Sequence, residues 1–165
     1  MDNNDNVRQL ITYMQQEIQW IGELNALLHQ EKTALNESQF DQLEDLANKK
    51  QTLSEHLDKS TKAKMSLLGD PKAQSPKDSL QEFIKTCSKA EASQISTLNK
   101  ELAALLVICR ELNTVNGQVV ATNIHIRHEM VSILSGHKPS DVSLYTATGD
   151  IQSPAHPEAS HHKEA

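Results

Sequence analysis

Glycine and proline are scarce in this chain of 165 residues, five of each, and aromatic side chains make up only 3%. Sheets and turn-rich folds draw on those residues for pleated surfaces and reversals, so neither is the organising architecture here. There are two cysteines, too few for a disulfide framework and without metal-ligand spacing. Basic residues form no block that could track a phosphate backbone: 16 Lys+Arg stand against 22 Asp+Glu, a formal charge of -6, which argues against nucleic acid. No apolar run approaches the roughly 20 residues that span a bilayer. The polar start Met1-Asp2-Asn3-Asn4-Asp5 lacks the basic and apolar regions of a secretory signal. The expectation is a cytoplasmic protein without direct membrane insertion.

Chemistry is equally thin. G-x-x-x-x-G-K-[ST], G-x-G-x-x-G, G-x-S-x-G and H-E-x-x-H are all absent, so the usual sequence routes to nucleotide, hydrolase or zinc chemistry are missing. His125 and His128 stand three apart beside Glu129, and a solvated helix face explains them better than a metal. Pairs such as Glu44 with Asp45 sit where surface carboxylates of a helix belong, not across a cleft. No catalytic residue, metal ligand or cofactor is expected, and the chain reads as a non-enzyme.

What the sequence does contain is Leu, Gln, Glu, Lys and Ala in helical rhythm. Val7, Leu10, Ile11, Met14, Ile18, Ile21, Leu24, Leu28 and Leu35 repeat every three or four residues and predict a helix over about 4–36; Tyr13, Trp20 and Leu27 widen its apolar face enough for two neighbours. A second helix is expected over 38–68, with Ser38 as its N-cap and a stop at Gly69-Asp70-Pro71. Ser75-Pro76 opens the third, a serine cap followed by proline where no hydrogen bond is lost. That third line runs from Leu80 through Phe83, Cys87, Ile95, Leu102 and Leu112 to Leu134 and ends at Gly136, predicting one helix over 76–135 with a bend where its apolar face thins between Ser88 and Ser96.

Fold class is therefore all-α: an antiparallel helical hairpin plus one long C-terminal helix, a three-helix coiled-coil-like bundle over 1–136, with a mobile tail over 137–165. On one continuous helix Cys87 and Cys109 would be about 33 Å apart at 1.5 Å per residue and could not bridge. The third helix would also be about twice as long as the hairpin, roughly 90 Å against 45 to 50 Å. Its second half then carries Leu112, Val115, Val119, Val120, Ile124, Ile126, Met130, Ile133 and Leu134 beyond what the hairpin can cover, which is unusual for a monomer. Asn113 and Asn116 lie near that line, and polar residues in an apolar seam fix register or partner. Gly117 removes a side chain and allows another backbone to approach. A partner helix, a homo-oligomer through the third helix, or a bend of that helix back onto the bundle would each cover such a surface.

The segment Leu112-Asn113-Thr114-Val115-Asn116-Gly117, an L-N-x-x-N-G pattern late in a long helix, resembles the flagellar export chaperones of the FlgN type. Ile133-Leu134-Ser135-Gly136, Leu144-Tyr145 followed by Gly149, and the Phe40-Asp41, Leu43, Leu46-Ala47, Leu53 region are similar to that family as well. The likeness extends to about Asp150, and the His-rich end departs from it. The resemblance implies a cytosolic type III flagellar export chaperone that binds the C-terminal helices of the hook-filament junction proteins FlgK and FlgL, prevents their premature assembly, and delivers them to the export gate protein FlhA. It implies substrate binding by Leu112, Asn113, Asn116, Gly117, Val119, Val120, Ile124, Ile126, Met130 and Leu134. It further implies gate docking by Leu144, Tyr145 and Gly149, with transient residence at the inner-membrane export apparatus. The alternative is a structural coiled-coil adaptor that homo-oligomerises through the third helix; a weak homo-oligomer when client-free fits the chaperone too.

Overall fold

The computed structural model describes residues 3–69 and 75–136, with two further pairs at 144–145 and 151–152. Helix α1 (Asn3–Asn36) buries Val7, Leu10, Met14, Ile21, Leu28 and Leu35, steps of three, four and seven that return to one face. Helix α2 (Asp41–Leu68) answers with Leu46 and Leu53. Two ion pairs join them, Glu17 with Lys64 and Glu31 with Lys50. The same step forward along α1 and backward along α2 separates these pairs, so the expected antiparallel hairpin is also fixed in register. Trp20 lies against the His56 ring with centroids 5.2 Å apart. Glu17 is only 3% exposed, and a buried charge without its partner is costly, which penalises any slipped pairing.

The turn between them differs from the sequence expectation. Ser38 does not cap α2: it takes a left-handed φ of 57° just past the end of α1. The Gln39 amide donates to the Ala34 carbonyl at 2.8 Å and the Ser38 amide to the Leu35 carbonyl at 3.4 Å. Those two bonds are the Schellman closure of a helix C-terminus, a place usually taken by glycine. Helix α2 begins at Asp41 after Phe40, with no side-chain cap. It ends at Gly69, whose φ is 36° and where an added Cβ would lie 3.3 Å from the Ser66 carbonyl oxygen.

Helix α3 (Pro76–Lys85) starts as the sequence predicts, with the Ser75 hydroxyl accepting from the Asp78 amide at 3.2 Å. It then stops. The expected single helix over 76–135 is two, broken at residues 86–88, with α4 (Lys89–Ser135) following. The break is N-terminal to the bend expected between Ser88 and Ser96, and its cause is a capping box. The Ser88 amide donates to the Glu91 carboxylate at 2.9 Å, and the Glu91 amide donates to the Ser88 hydroxyl at 3.3 Å. Cys87 falls in the break, so it does not share a helix with Cys109.

Breaking the helix lets both pieces reach one core. Val7, Leu10 and Met14 of α1 surround Ile95 of α4, which is fully buried, and Leu80, Phe83 and Ile84 of α3 pack against them with Leu67 and Leu68 of α2. Further along, the Asn25 side-chain amide donates to the Leu105 carbonyl at 3.2 Å and ties α4 to α1.

The chain divides into two units, Met1–Asn113 and Thr114–Ala165. The first holds the hairpin, α3 and the start of α4. In the second, the remainder of α4 is followed by β1 (Leu144–Tyr145) and β2 (Ile151–Gln152), which pair antiparallel with Leu144 opposite Gln152 and Tyr145 opposite Ile151. Four residues of the tail thus carry regular pairing that the sequence reading did not expect; the rest of 137–165 lies outside the described residues, and with it most of the expected mobile tail.

Replacing Ser38 with glycine relieves a side chain held at positive φ and should raise unfolding free energy by about 0.5–1 kcal/mol in urea titration. Ser88→Ala should lower thermal stability by removing the cap. The hydrogen bonds from Ser88 hold the Glu91 carboxyl below the ordinary glutamate range, so this contribution is present above the unfolded value and is lost as pH falls through the lowered one. The stability gap between wild type and Ser88→Ala should accordingly narrow in acid, measured by calorimetry across pH.

Candidate functional site

At 100° per residue, α4 changes what it shows along its length. In the first unit Ile95 and Leu102 are buried; Leu106, on the same face, is already 36% exposed, and Val107 and Ile108 are exposed on other sides of the helix. The run Ala103–Cys109 is apolar all round, a pattern that normally means burial on every side. Here part of it faces water.

In the second unit Val115, Ile126, Met130 and Ile133 are exposed on one line, with half-buried Val119 and the polar Thr122 between them, while Val131, 64% exposed, points about 140° away from Ile126. Val115, Val119, Thr122, Ile126, Met130 and Ile133 follow in steps of four, three, four, four and three, which keeps them within about 80° of one another. Exposure on the line is 37% at Val115, lower at half-buried Val119, and then climbs from 45% at Ile126 through 60% at Met130 to 73% at Ile133. Leu134, on the edge of the line, reaches 87%. The pattern repeats on eleven residues, Val115 with Ile126, Val119 with Met130 and Thr122 with Ile133. An eleven-residue repeat makes a stripe drift slowly in the right-handed sense, whereas a seven-residue one winds left-handed.

The residues expected to bind substrate are spread over more than this stripe. Val119, Ile126 and Met130 lie on it and Leu134 borders it. Val120 and Ile124 are half-buried and point well round the helix, about 120° to 160° from Ile126. Asn116 is 2% exposed and offers almost no surface. Leu112, half-buried, and Asn113, exposed, belong to the first unit. A Cβ built on Gly117 would meet nothing within 4 Å, so no described residue brings its backbone against it. Val115 and Ile133 were visible in the apolar line but not among the expected binding residues; the eleven-residue repeat is the signal that includes them. Of the residues expected to dock on the gate, Leu144 and Tyr145 form β1, and Gly149 lies outside the described residues.

His125 Nε2 stands 3.4 Å from Glu129 Oε1 one turn on, an ordinary surface pair. Among the described residues no group of three or more His, Cys, Asp or Glu could hold a metal ion. Burial pushes the thiols of both Cys87 and Cys109 up, which keeps them protonated at neutral pH. Two hollows belong to the first unit. One of about 300 Å³ is lined by Leu10, Met14, Met65, Leu68 and Leu80 with Lys64 and Lys77, and one of about 430 Å³ lies between α1 and α2 beside Leu27 and Leu53. The second is also lined by Glu23 and Lys49.

Set against known proteins, residues 1–153 match the family model described as FlgN protein. No curated protein and no solved structure matches the chain.

Because the stripe is exposed, polar replacements on it should leave the fold intact. Ile126→Ser, Met130→Ser and Ile133→Ser should each change unfolding free energy by about 0.5 kcal/mol or less while reducing binding of an apolar fluorescent dye. A loss of several kcal/mol in denaturant titration would mean that the chain covers these residues itself.

Proposed function

This chain belongs to the FlgN family of flagellar export chaperones, and we propose that it holds the amphipathic C-terminal helices of the hook-filament junction proteins FlgK and FlgL on the stripe of α4. The observation that carries this reading is the line of large apolar residues, Ile126, Met130 and Ile133, left in water on a folded helix. Folded monomers rarely expose such a contiguous patch unless it serves binding. An amphipathic client helix needs anchors one or two turns apart, and the stripe supplies them at three- and four-residue steps.

Magnitude supports a carrier. Covering a few hundred Å² of apolar surface offers several kcal/mol at about 25 cal/mol per Å² before ordering costs are subtracted. That is enough to prevent premature client assembly and little enough to permit release. No acid–base pair, metal or cofactor enters this function. In this reading the protein works in the cytoplasm and meets the inner-membrane export apparatus only transiently; no helix among the described residues is long and apolar enough to cross a membrane. Delivery to the gate protein FlhA falls to the segment around Leu144 and Tyr145, where a tyrosine supplies a rigid ring with a polar tip.

Titration calorimetry with the C-terminal segment of a junction protein tests the client surface. Ile126→Asp with Met130→Asp should weaken binding at least about tenfold, the equivalent of 1.4 kcal/mol, with circular dichroism unchanged; unaltered affinity removes the proposal. A separate variant addresses delivery. Tyr145→Ala should keep client affinity and lose affinity for the cytoplasmic part of the gate, and equal gate binding counts against that role.

A further inference from the structure

The stripe of the second unit is graded in size. Val115, Val119 and Thr122 occupy its first half and the larger Ile126, Met130 and Ile133 its second. Facing layers of two helices fill space when large meets small, so the best mate for this stripe is one graded in the opposite direction. A second copy of the same stripe, laid antiparallel, is graded that way. With the two-fold axis near position 124, Val115 faces Ile133, Val119 faces Met130 and Thr122 faces Ile126, in register to within one residue. A parallel copy would instead set Ile133 on Ile133 and Val115 on Val115, crowded at one end and hollow at the other.

We infer that, without a client, the stripe is covered by the same stripe of a second copy of this chain in an antiparallel two-fold pair. Three further features fit that occupant. Asn123, half-buried on the flank of the stripe, falls close to the axis and meets its own copy; a carboxamide carries both donor and acceptor, so two of them pair with each other, and an asparagine in a seam fixes register. Glu129, the only acidic residue of α4 within the second unit, comes beside Gln118 of the second copy, so no like charges meet. Antiparallel helix dipoles also oppose and partly cancel.

The overlap uses only the α4 residues of the second unit, about 30 Å of helix. Two helices packed over that length bury on the order of 800 Å² in all, short of the roughly 1,200 Å² at which stable interfaces begin. The pair is therefore weak and exchangeable, a cover that a client helix displaces. It rests on the grading of the stripe and stands or falls separately from the identity of the client.

Cross-linking decides it. Val119→Cys and Met130→Cys are made singly in a chain carrying Cys87→Ala and Cys109→Ala, their folding checked by circular dichroism, and treated with a short thiol-to-thiol linker at high protein concentration, alone and mixed. The mixture should yield cross-linked dimer and neither variant alone should, because like positions lie about 15 Å or more apart in the antiparallel pair. Should either variant fail to fold, Val115→Cys with Ile133→Cys replaces the pair with the same expectation. Cross-linking of either variant with itself, or none in the mixture, overturns the inference. Client titration of the uncross-linked wild type is the independent readout: lost client binding with the cross-link intact would sink the functional reading alone, and intact client binding without the cross-link would sink this inference alone.

Discussion

Water against a line of large apolar side chains is the constraint on which the functional account depends. Ile126, Met130 and Ile133 are more than two-fifths exposed on a helix of 47 residues, and that cost persists until another surface removes it. The chemistry of a carrier follows from it. Such a surface offers no reaction, only non-directional desolvation that scales with area, and its affinity is tuned by how much of the line a partner covers.

The first unit shows how the same chain handles apolar surface it does bury. There every helix contributes to a core around Ile95, and polar contacts set the register: Glu17 with Lys64, Glu31 with Lys50, and the Asn25 amide on the Leu105 carbonyl. These contacts specify one alignment of α1, α2 and the start of α4 where leucine-rich faces alone would tolerate several. Beyond Leu105, three consecutive apolar residues stand exposed. Helix α4 thus shows apolar side chains to water before the second unit begins.

Periodicity made the all-α class, the hairpin and the long final helix legible, because apolar residues at three- and four-residue steps have few other readings. Ser75 and Pro76 were legible as well, since cap and proline reinforce each other. Two local features were not. Ser38 could be read as an N-cap by residue type, but serine at the end of α1 is held at positive φ by the Schellman bonds of the preceding helix, which only the backbone reveals. The break at residues 86–88 had a signature, Ser88 three residues before Glu91, that a continuous apolar line concealed. At the candidate site the line of residues was legible and its exposure was not: Asn116 and Met130 are similar in pattern, yet one is buried and the other open, a difference set by packing and not by spacing.

Oxidative footprinting at Met130, read by mass spectrometry on dilute protein with and without a junction-protein C-terminal segment, tests the central claim most directly. The thioether should oxidise readily in the free chain and become strongly protected on addition of the segment, while buried Met14 stays slow in both. Equal oxidation of Met130 with and without a saturating segment, or slow oxidation in the free monomer, would contradict the account.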